Sequence, residues 1–444
     1  MPPRLLLSLL LCCVAGVRAE TVALPRPAAL EPAVRFWSRV FSEVDTRSGF
    51  LHDDRRLDVV YEALRWTGDL DRSDRQALVE PRRLAIQNIL LSLADGSADT
   101  SDPQVRRVRA LWQGASPTEL REAAARVRFQ LGQADRFAAA LHRSGTWEDH
   151  IRRTLGQYGV PQEIGALPYV ESGFNPMAGS HAGAAGLWQF MASTGRLFLR
   201  IDTYVDERYD PHASTVAAAK LLRGNYDALG TWPLALTAYN HGRAGMRRAM
   251  NSMGTDDIAT LIEHYDGPYF GFASRNFYPT FLAALELSSS PEQHFGPIVK
   301  APAAQIREVT LPAYLPLRAV ERELGVDRGT LRTLNPALRR TVWDQTQLLP
   351  KGYDLRLPAS SGANTETLIA GIAQRAGQAA PVVESRHVVR PGETLSGLAA
   401  RQGLTVRQLA ARNGLKPTAH LRIGQVLTLP ARPAGRASAV EAAR

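Results

Sequence analysis

Apolar residues recur at helical spacing from about Val34 to Arg143, interrupted by polar breaks such as Asp95-Gly96-Ser97-Ala98-Asp99. The stretch from Thr118 to Ala140 follows a cap, Ser116-Pro117, and carries Leu120, Val127, Leu131 and Phe137 on one helical face. Residues 20–143 therefore read as a helical lead-in, with nothing chemical in it. Over 144–290, Pro161 opens a short helix that Ser172-Gly173 closes, and Pro168 predicts a bend just before Glu171. Asp210-Pro211 caps a helix that ends at Gly230, and Thr231-Trp232-Pro233 starts another that reaches Tyr239-Asn240. A last helix runs through Phe277 to Leu287. No alternating strand pattern appears, so this region is expected to be all-α.

The C-terminal third contains an internal repeat. The segment from Leu317 aligns with that from Leu395, and the register holds through Gly325 and Gly403, Leu331 and Leu409, and Asn335 and Asn413. Each copy ends in a strand-like run before proline, at Pro358 and Pro430, so each reads β-α-α-β. The first copy (301–358) has a longer return loop containing Trp343, and the second spans 386–430. Residues 359–385, rich in Ala, Gly and Ser, read as a linker, and 431–444 as a disordered tail.

Composition narrows the setting. With 444 residues, 45% hydrophobic and 22% charged, the chain is globular and of several domains. The net charge is +10, and only four of the basic residues are lysines (Lys220, Lys300, Lys351, Lys416). The arginines are scattered without interleaved aromatics, which argues against a nucleic-acid partner. Residues 1–19 read as an export signal: Arg4, an apolar run from Leu5 to Val17, then Val17-Arg18-Ala19. The two cysteines, Cys12 and Cys13, fall inside it, so the processed chain has neither disulfides nor thiol chemistry. A lipid anchor on either is the competing reading, disfavoured because Leu11 or Cys12 precedes it where processing prefers Gly or Ala. No later segment has the length and apolarity of a bilayer span. The expectation is an exported, soluble, periplasmic protein.

One segment carries candidate chemistry: Leu167-Pro-Tyr-Val-Glu171-Ser-Gly-Phe-Asn-Pro176, then Ser180-His-Ala-Gly-Ala-Ala-Gly186-Leu-Trp-Gln189. A carboxyl at the end of an apolar helix is partly desolvated, which raises its pKa and suits a general acid for glycosidic cleavage. From Ser172 through Ile201 there is no Asp or Glu. Ordinary glycosidases need a second carboxylate, which Asp202, Asp206 or Glu207 would have to supply. A lone acid suits a reaction in which the substrate's own hydroxyl is the nucleophile. His181 and His241 have no metal-ligand spacing around them, so neither a metal nor a cofactor is expected. Trp188 reads as core or cleft wall.

Glu171-Ser172, Gly186-Leu-Trp-Gln189 and Ala238-Tyr239-Asn240, in this order and spacing, resemble the lytic transglycosylase domain with a goose-type-lysozyme-like fold. The order of modules resembles the membrane-bound lytic murein transglycosylase D family. The resemblance implies a mainly α protein whose lysozyme-like catalytic domain spans 144–290. It makes Glu171 the acid and base, and places Ser180 near the acid and the reacting sugar's N-acetyl group. It implies that Gln189 lines the cleft, that Tyr239 and Asn240 face the glycan, and that Tyr278 helps hold the catalytic carboxyl. Ser172 is expected to buttress the turn.

The second repeat, from Val388 through Pro430, resembles a LysM domain, a binder of N-acetylglucosamine-containing glycans. Its binding loops would use Gly392, Thr394, Leu395, Leu421 and Ile423. The first repeat lacks the Pro-Gly-Glu-Thr turn and reads as a degenerate, structural copy. The implied partner is the glycan strand of peptidoglycan, and the implied reaction leaves a 1,6-anhydro-muramic end. A water-using muramidase on the same fold, or a non-catalytic wall-binding scaffold, are the alternatives.

Overall fold

The computed structural model describes residues 24–378, 384–402 and 404–430. The export signal and the tail expected from sequence lie outside them. The first helix, Glu31–Ser42, buries Val34, Phe36, Trp37, Val40 and Phe41, an i, i+3, i+4 stripe. These side chains join the core of the 144–290 region, and the Trp37 indole donates to Asn276 Oδ1 at 3.0 Å. The lead-in thus completes the core of the following region.

The lead-in is not purely helical. Strands Ser48–Asp53, Val60–Arg65 and Val127–Leu131 form an antiparallel sheet with Ser48–Asp53 in the middle. Phe50 lies opposite Ala63 on one side and Gln130 on the other. Every residue of the central strand is buried. A separate core under this sheet joins Leu51, Val59 and Tyr61 to Ile86, Leu90, Val108 and Trp112. The single helix expected over 118–140 is split into helix Pro117–Ala125, the strand Val127–Leu131 and helix Ala134–Ser144. Val127 and Leu131 satisfy a helical spacing, but Val127, Phe129 and Leu131 also alternate with Arg128 and Gln130. Tertiary pairing to the central strand decided between the two periods.

The 144–290 region is all-α as expected, with only isolated bridges among the described residues. Asp210 caps the helix Pro211–Leu229 by accepting from the His212 and Ala213 amides, and Gly230 closes it at φ 83°. The bend expected at Pro168 is absent for a simple reason. A 3₁₀ turn, Gln162–Ala166, precedes the five-residue helix Leu167–Glu171, so Pro168 sits in its first turn, where no hydrogen bond is lost.

The second repeat forms the expected β-α-α-β unit, and the first adds a short third helix, Arg340–Trp343, in its longer return loop. The first pairs Ile306–Thr310 with Asp354–Pro358, and the second pairs Glu384–Val388 with Val426–Pro430. Asn335 and Asn413 play one role in both. Asn335 donates to the Leu331 and Arg356 carbonyls and accepts from the Arg356 amide; Asn413 does the same with Leu409 and Thr428. The expected linker is corrected in part. Residues 365–376 form a helix, Thr365–Ala376, whose Ile369 and Ile372 are buried in the first repeat's core. An i, i+3 apolar pair, Ile369 and Ile372, is hidden there among small residues that mimic linker composition.

The first repeat is docked on the 144–290 region. Tyr204 and Val205 enter its core, the Asp206 amide donates to Ala337 O at 2.8 Å, and the Arg339 amide donates to Tyr204 O at 2.8 Å. Arg356, buried, pairs with the buried Asp210 and with Glu308 at 2.8 Å. Losing one member of a buried ion pair strands the other as an uncompensated charge, at a cost of about 3–5 kcal/mol. Arg356→Met should therefore lower the thermal midpoint by several degrees, and Arg356→Met combined with Asp210→Asn should recover part of the loss. A single variant as stable as the wild type would show that the pair does not anchor the repeat.

Candidate active site

The acid is positioned by a short helix and a double left-handed turn. Glu171 is the last residue of Leu167–Glu171; Gly173 and Phe174 follow at φ 58° and 56°. Phe174 holds this uncommon conformation because its ring is fully buried, 4.5 Å from Tyr169. The Ser172 hydroxyl donates to Leu187 O at 2.7 Å, which ties the turn to the glycine-rich loop as expected of a buttress. Part of Glu171 opens to a cleft of about 380 Å³, but burial of the carboxyl pushes its pKa up to about 8. No nearby charge contributes to that shift. At neutral pH the group is mainly protonated, the state a general acid requires.

The glycine-rich loop forms the adjoining wall. Ser180 Oγ accepts from the Ala184 amide at 2.9 Å, closing a tight turn. Gly186, at φ 81°, runs so close to Arg208 that a Cβ there would stand 1.7 Å from its carbonyl oxygen. Gln189, also left-handed at φ 49°, donates to Gly186 O at 2.9 Å and lines the cleft. Sequence reading missed Arg208. Its buried guanidinium donates to Gly183 O at 2.8 Å and Phe190 O at 3.1 Å while paired with Asp206. It holds the loop's two ends, and Asp206 in turn is held by Arg339 of the first repeat at 3.4 Å.

The structure gathers only some of the expected residues. Glu171 and Gln189 share the cleft. Tyr239 lies close enough that the Glu171 charge adds to burial in pushing its phenol well above its usual range, and its hydroxyl donates to Trp188 O at 2.8 Å. Ser180 is exposed and does not line that cleft; Asn240 is exposed too and accepts from Ser274 at 3.3 Å. Tyr278 is a correction. It is fully buried and its hydroxyl donates to Pro25 O at 2.6 Å, so its hydrogen bond goes to the lead-in and not to the acid. Trp188 is core, its indole donating to Thr215 at 2.9 Å. The lead-in also lines the cleft, through Phe41, Gln133, Arg136, Phe137 and Arg143, which its helical periodicity gave no reason to suspect.

The carboxylates that a second catalytic role would need are committed elsewhere. Asp202 accepts from the Tyr204 and Val205 amides and pairs with Arg200. Asp206 holds Arg208, Glu207 accepts from the Arg200 amide at 2.6 Å, and Asp210 caps a helix and pairs with Arg356. Glu171 is the one carboxylate lining the cleft among the described residues. No group of His, Cys, Asp and Glu among them is arranged to hold a metal ion.

In the second repeat, Gly392 (φ 82°), Thr394 and Ile423 are exposed. Thr394 caps helix Leu395–Arg401, and Leu421 is partly buried. Leu395 is a correction: its side chain is buried in the module's core and offers no surface for a ligand. Glu393 fixes the turn, accepting from the Arg390 amide at 2.9 Å and contacting His387 and Arg401 at 2.5 Å.

Comparison with known proteins matches residues 150–262 to the Transglycosylase SLT domain and 387–430 to the LysM domain. The membrane-bound lytic murein transglycosylase D of Escherichia coli strain K12 is 29% identical over 287 residues, 61% of this chain and 60% of its own. A transglycosylase of enterobacteria phage PRD1 is 34% identical over 97 residues, 22% of this chain and 35% of that protein. Among solved structures, the 70 kDa soluble lytic transglycosylase of Escherichia coli aligns at 18% identity and a TM-score of 0.29, over 54% of this chain and 40% of that one. The chain thus carries a transglycosylase SLT domain and a LysM domain, and spans 60% of the length of its Escherichia coli relative. No helix among the described residues is long and apolar enough to cross a membrane.

The buried acid makes stability depend on pH. Its carboxyl titrates at about 8 when folded and at about 4.3 when unfolded. Between those values the folded state keeps a proton that the unfolded state has released, so stability falls as pH rises from about 4 to about 8 and levels off above. Glu171→Gln should match wild type near pH 4 and exceed it at pH 8, by at most about 5 kcal/mol. Urea unfolding at the two pH values checks this; identical pH slopes would mean that the carboxyl is not desolvated.

Proposed function

We propose that this chain is a lytic transglycosylase of peptidoglycan. It cuts the β-1,4 bond between N-acetylmuramic acid and N-acetylglucosamine and leaves a 1,6-anhydro-muramic end, for remodelling or turnover of the wall. The observation that carries this reading is a single, buried, protonated carboxyl in a cleft with no second carboxylate. Glu171 gives its proton to the glycosidic oxygen as the bond to the anomeric carbon breaks. The muramic C6 hydroxyl then attacks that carbon, and the Glu171 carboxylate takes the hydroxyl's proton, which restores the acid. Gln189 and Tyr239 shape the cleft around the reacting sugar. The name and 29% identity of the Escherichia coli relative support the same substrate class.

The second repeat is taken as a glycan-binding module, through the exposed loops around Gly392, Thr394 and Ile423. A weak binder tethered to the catalytic region raises local concentration on an insoluble polymer. Residues 1–19 would direct export, so the place of action is the periplasm.

Mass spectrometry of digested murein separates the readings. An anhydro product is lighter by one water than the product of a muramidase, and a scaffold yields neither. Glu171→Gln should abolish product while leaving glycan binding intact; activity within about tenfold of wild type, well short of a general acid's usual contribution, would move the chemistry elsewhere. Asp202→Asn, Asp206→Asn and Glu207→Gln variants that fold normally but lose turnover would point to a second catalytic carboxylate.

The binding module has its own test. A chain cut after Gln378 keeps the helix that completes the first repeat and loses only the second. It should be released from insoluble murein more readily while turning over short soluble glycans at an unchanged rate. Unchanged retention would make the second repeat a packing module alone.

A further inference from the structure

The cleft around the acid has an unbalanced charge. Helix Ala134–Ser144 contributes Arg136 and Arg143 to its lining, while its one carboxyl, Glu171, is kept neutral by burial. Arg143 is half-buried, and its Nε and Nη2 both donate to Gly173 O, at 3.0 and 2.6 Å. Its remaining N–H groups have no partner, and Arg136 has neither hydrogen bond nor ion pair, among the described residues. The nearby acids are occupied: Asp135 accepts from the Thr46 amide and hydroxyl, and Glu148 is held by Lys300, Ser144 and Tyr169. Two cations on one cleft wall without a counter-ion, one of them partly desolvated, are a costly arrangement in a free protein and a favourable one once an anion arrives.

We propose that Arg136 and Arg143 form a carboxylate-binding site that recognises the anionic substituent of the muramic sugar. This rests on the peptidoglycan reading above and extends it from the glycan backbone to what the backbone carries. Seven residues apart on one helix, the two arginines stand about 10 Å from each other along its axis. That span suits an extended acidic substituent better than one small ion. The carboxylates have two sources with the same chemistry: the lactyl group of a glycan stripped of peptide, or the acidic residues of an attached stem peptide. Arg143 also fixes the Gly173 carbonyl, so a bound anion would be felt at the turn that follows the acid.

The test compares the full chain with Arg136→Gln, Arg136→Lys and Arg143→Lys on three soluble substrates: peptide-bearing strands, peptide-stripped strands, and stripped strands whose lactyl carboxyls are converted to amides. Arg136→Gln should raise KM about 3- to 10-fold on at least one anionic substrate, the scale of a partly exposed ion pair, with kcat within twofold. It should leave KM on the amide substrate unchanged, and Arg136→Lys should retain most of the affinity. Added salt should raise the wild-type KM on that substrate and hardly move that of Arg136→Gln. Arg143→Lys, which keeps the charge but loses the forked grip on Gly173, should raise KM in the same charge-selective way. Whichever anionic substrate responds identifies the source of the carboxylate. Equal losses on all three substrates, or none on any, would overturn the proposal. If the wild type makes no anhydro product, the peptidoglycan-lyase reading fails on its own. Dissociation constants of the same strands for Glu171→Gln chains, with and without Arg136→Gln, then decide the arginine site separately.

Discussion

A carboxyl enclosed by protein with no counter-ion is the constraint on which this architecture turns. Desolvation of Glu171 opposes its charged form and so keeps a proton available near neutrality. The state survives only if no cation comes close, because a guanidinium within hydrogen-bonding range would return the group to an ordinary carboxylate. It also needs a rigid enclosure, since a loose one admits water. The surroundings meet both demands. The acid ends a helix of only five residues, and a double left-handed turn locked by buried Phe174 follows at once. The next wall is a glycine-rich loop gripped at Gly183 and Phe190 by Arg208.

That grip leads outward to the first repeat. Arg208 is oriented by Asp206, and Asp206 is held in turn by Arg339 and the Ala337 carbonyl. Compared with the second copy, the first differs where it touches the catalytic region. From the shared asparagine to the amide it fixes is 21 residues in the first copy and 15 in the second, and the longer loop contains Leu338, Arg339 and Thr341. Arg356, which pairs with Asp210, stands where the second copy has Thr428. What reads as decay of a binding module is, in contact terms, the surface of a brace. The Asn335 clamp that both copies share kept the fold while the loop was put to this use.

Legibility followed local signals. Caps and breakers placed the helix at Asp210-Pro211 and its stop at Gly230, because their geometry is set within a few residues. Glu171, Gln189 and Tyr239 stood out through the order and spacing that carry the family resemblance, and the structure brings Glu171 and Gln189 into one cleft; the repeat showed through its register. What failed depended on distant partners. Val127 to Leu131 suits two periods, and only the strand Ser48–Asp53, far away in sequence, selects the extended one. Tyr278 belongs to the right helix, but its hydroxyl's partner is Pro25, more than 250 residues away. The helix Thr365–Ala376 hid among small residues until the first repeat supplied a face for Ile369 and Ile372. Arg136 and Arg143 resembled any other arginines on an amphipathic helix in an arginine-rich chain.

Those two arginines also show how a cleft can attract anions without ionising its acid. A cation 4–6 Å from a carboxyl typically lowers its pKa by about 1–3 units, which here would cancel most of the effect of burial. Yet burial alone accounts for the shift at Glu171. Arg143 spends two of its N–H groups on the Gly173 carbonyl, which anchors the guanidinium to the turn beside the acid and not to the acid itself. Arg136 sits about two helical turns earlier, its head in solvent, where screening is strong. The positive field therefore acts on what enters the cleft more than on the group that must stay protonated. The helix that carries those cations is fixed by Phe137, whose ring lies 5.1 Å from Phe41 of the first helix and 5.0 Å from Tyr169 of the helix that ends in the acid. A lead-in free to shift would carry its arginines toward the acid, and the packing that prevents this is as much a part of the site as the carboxyl.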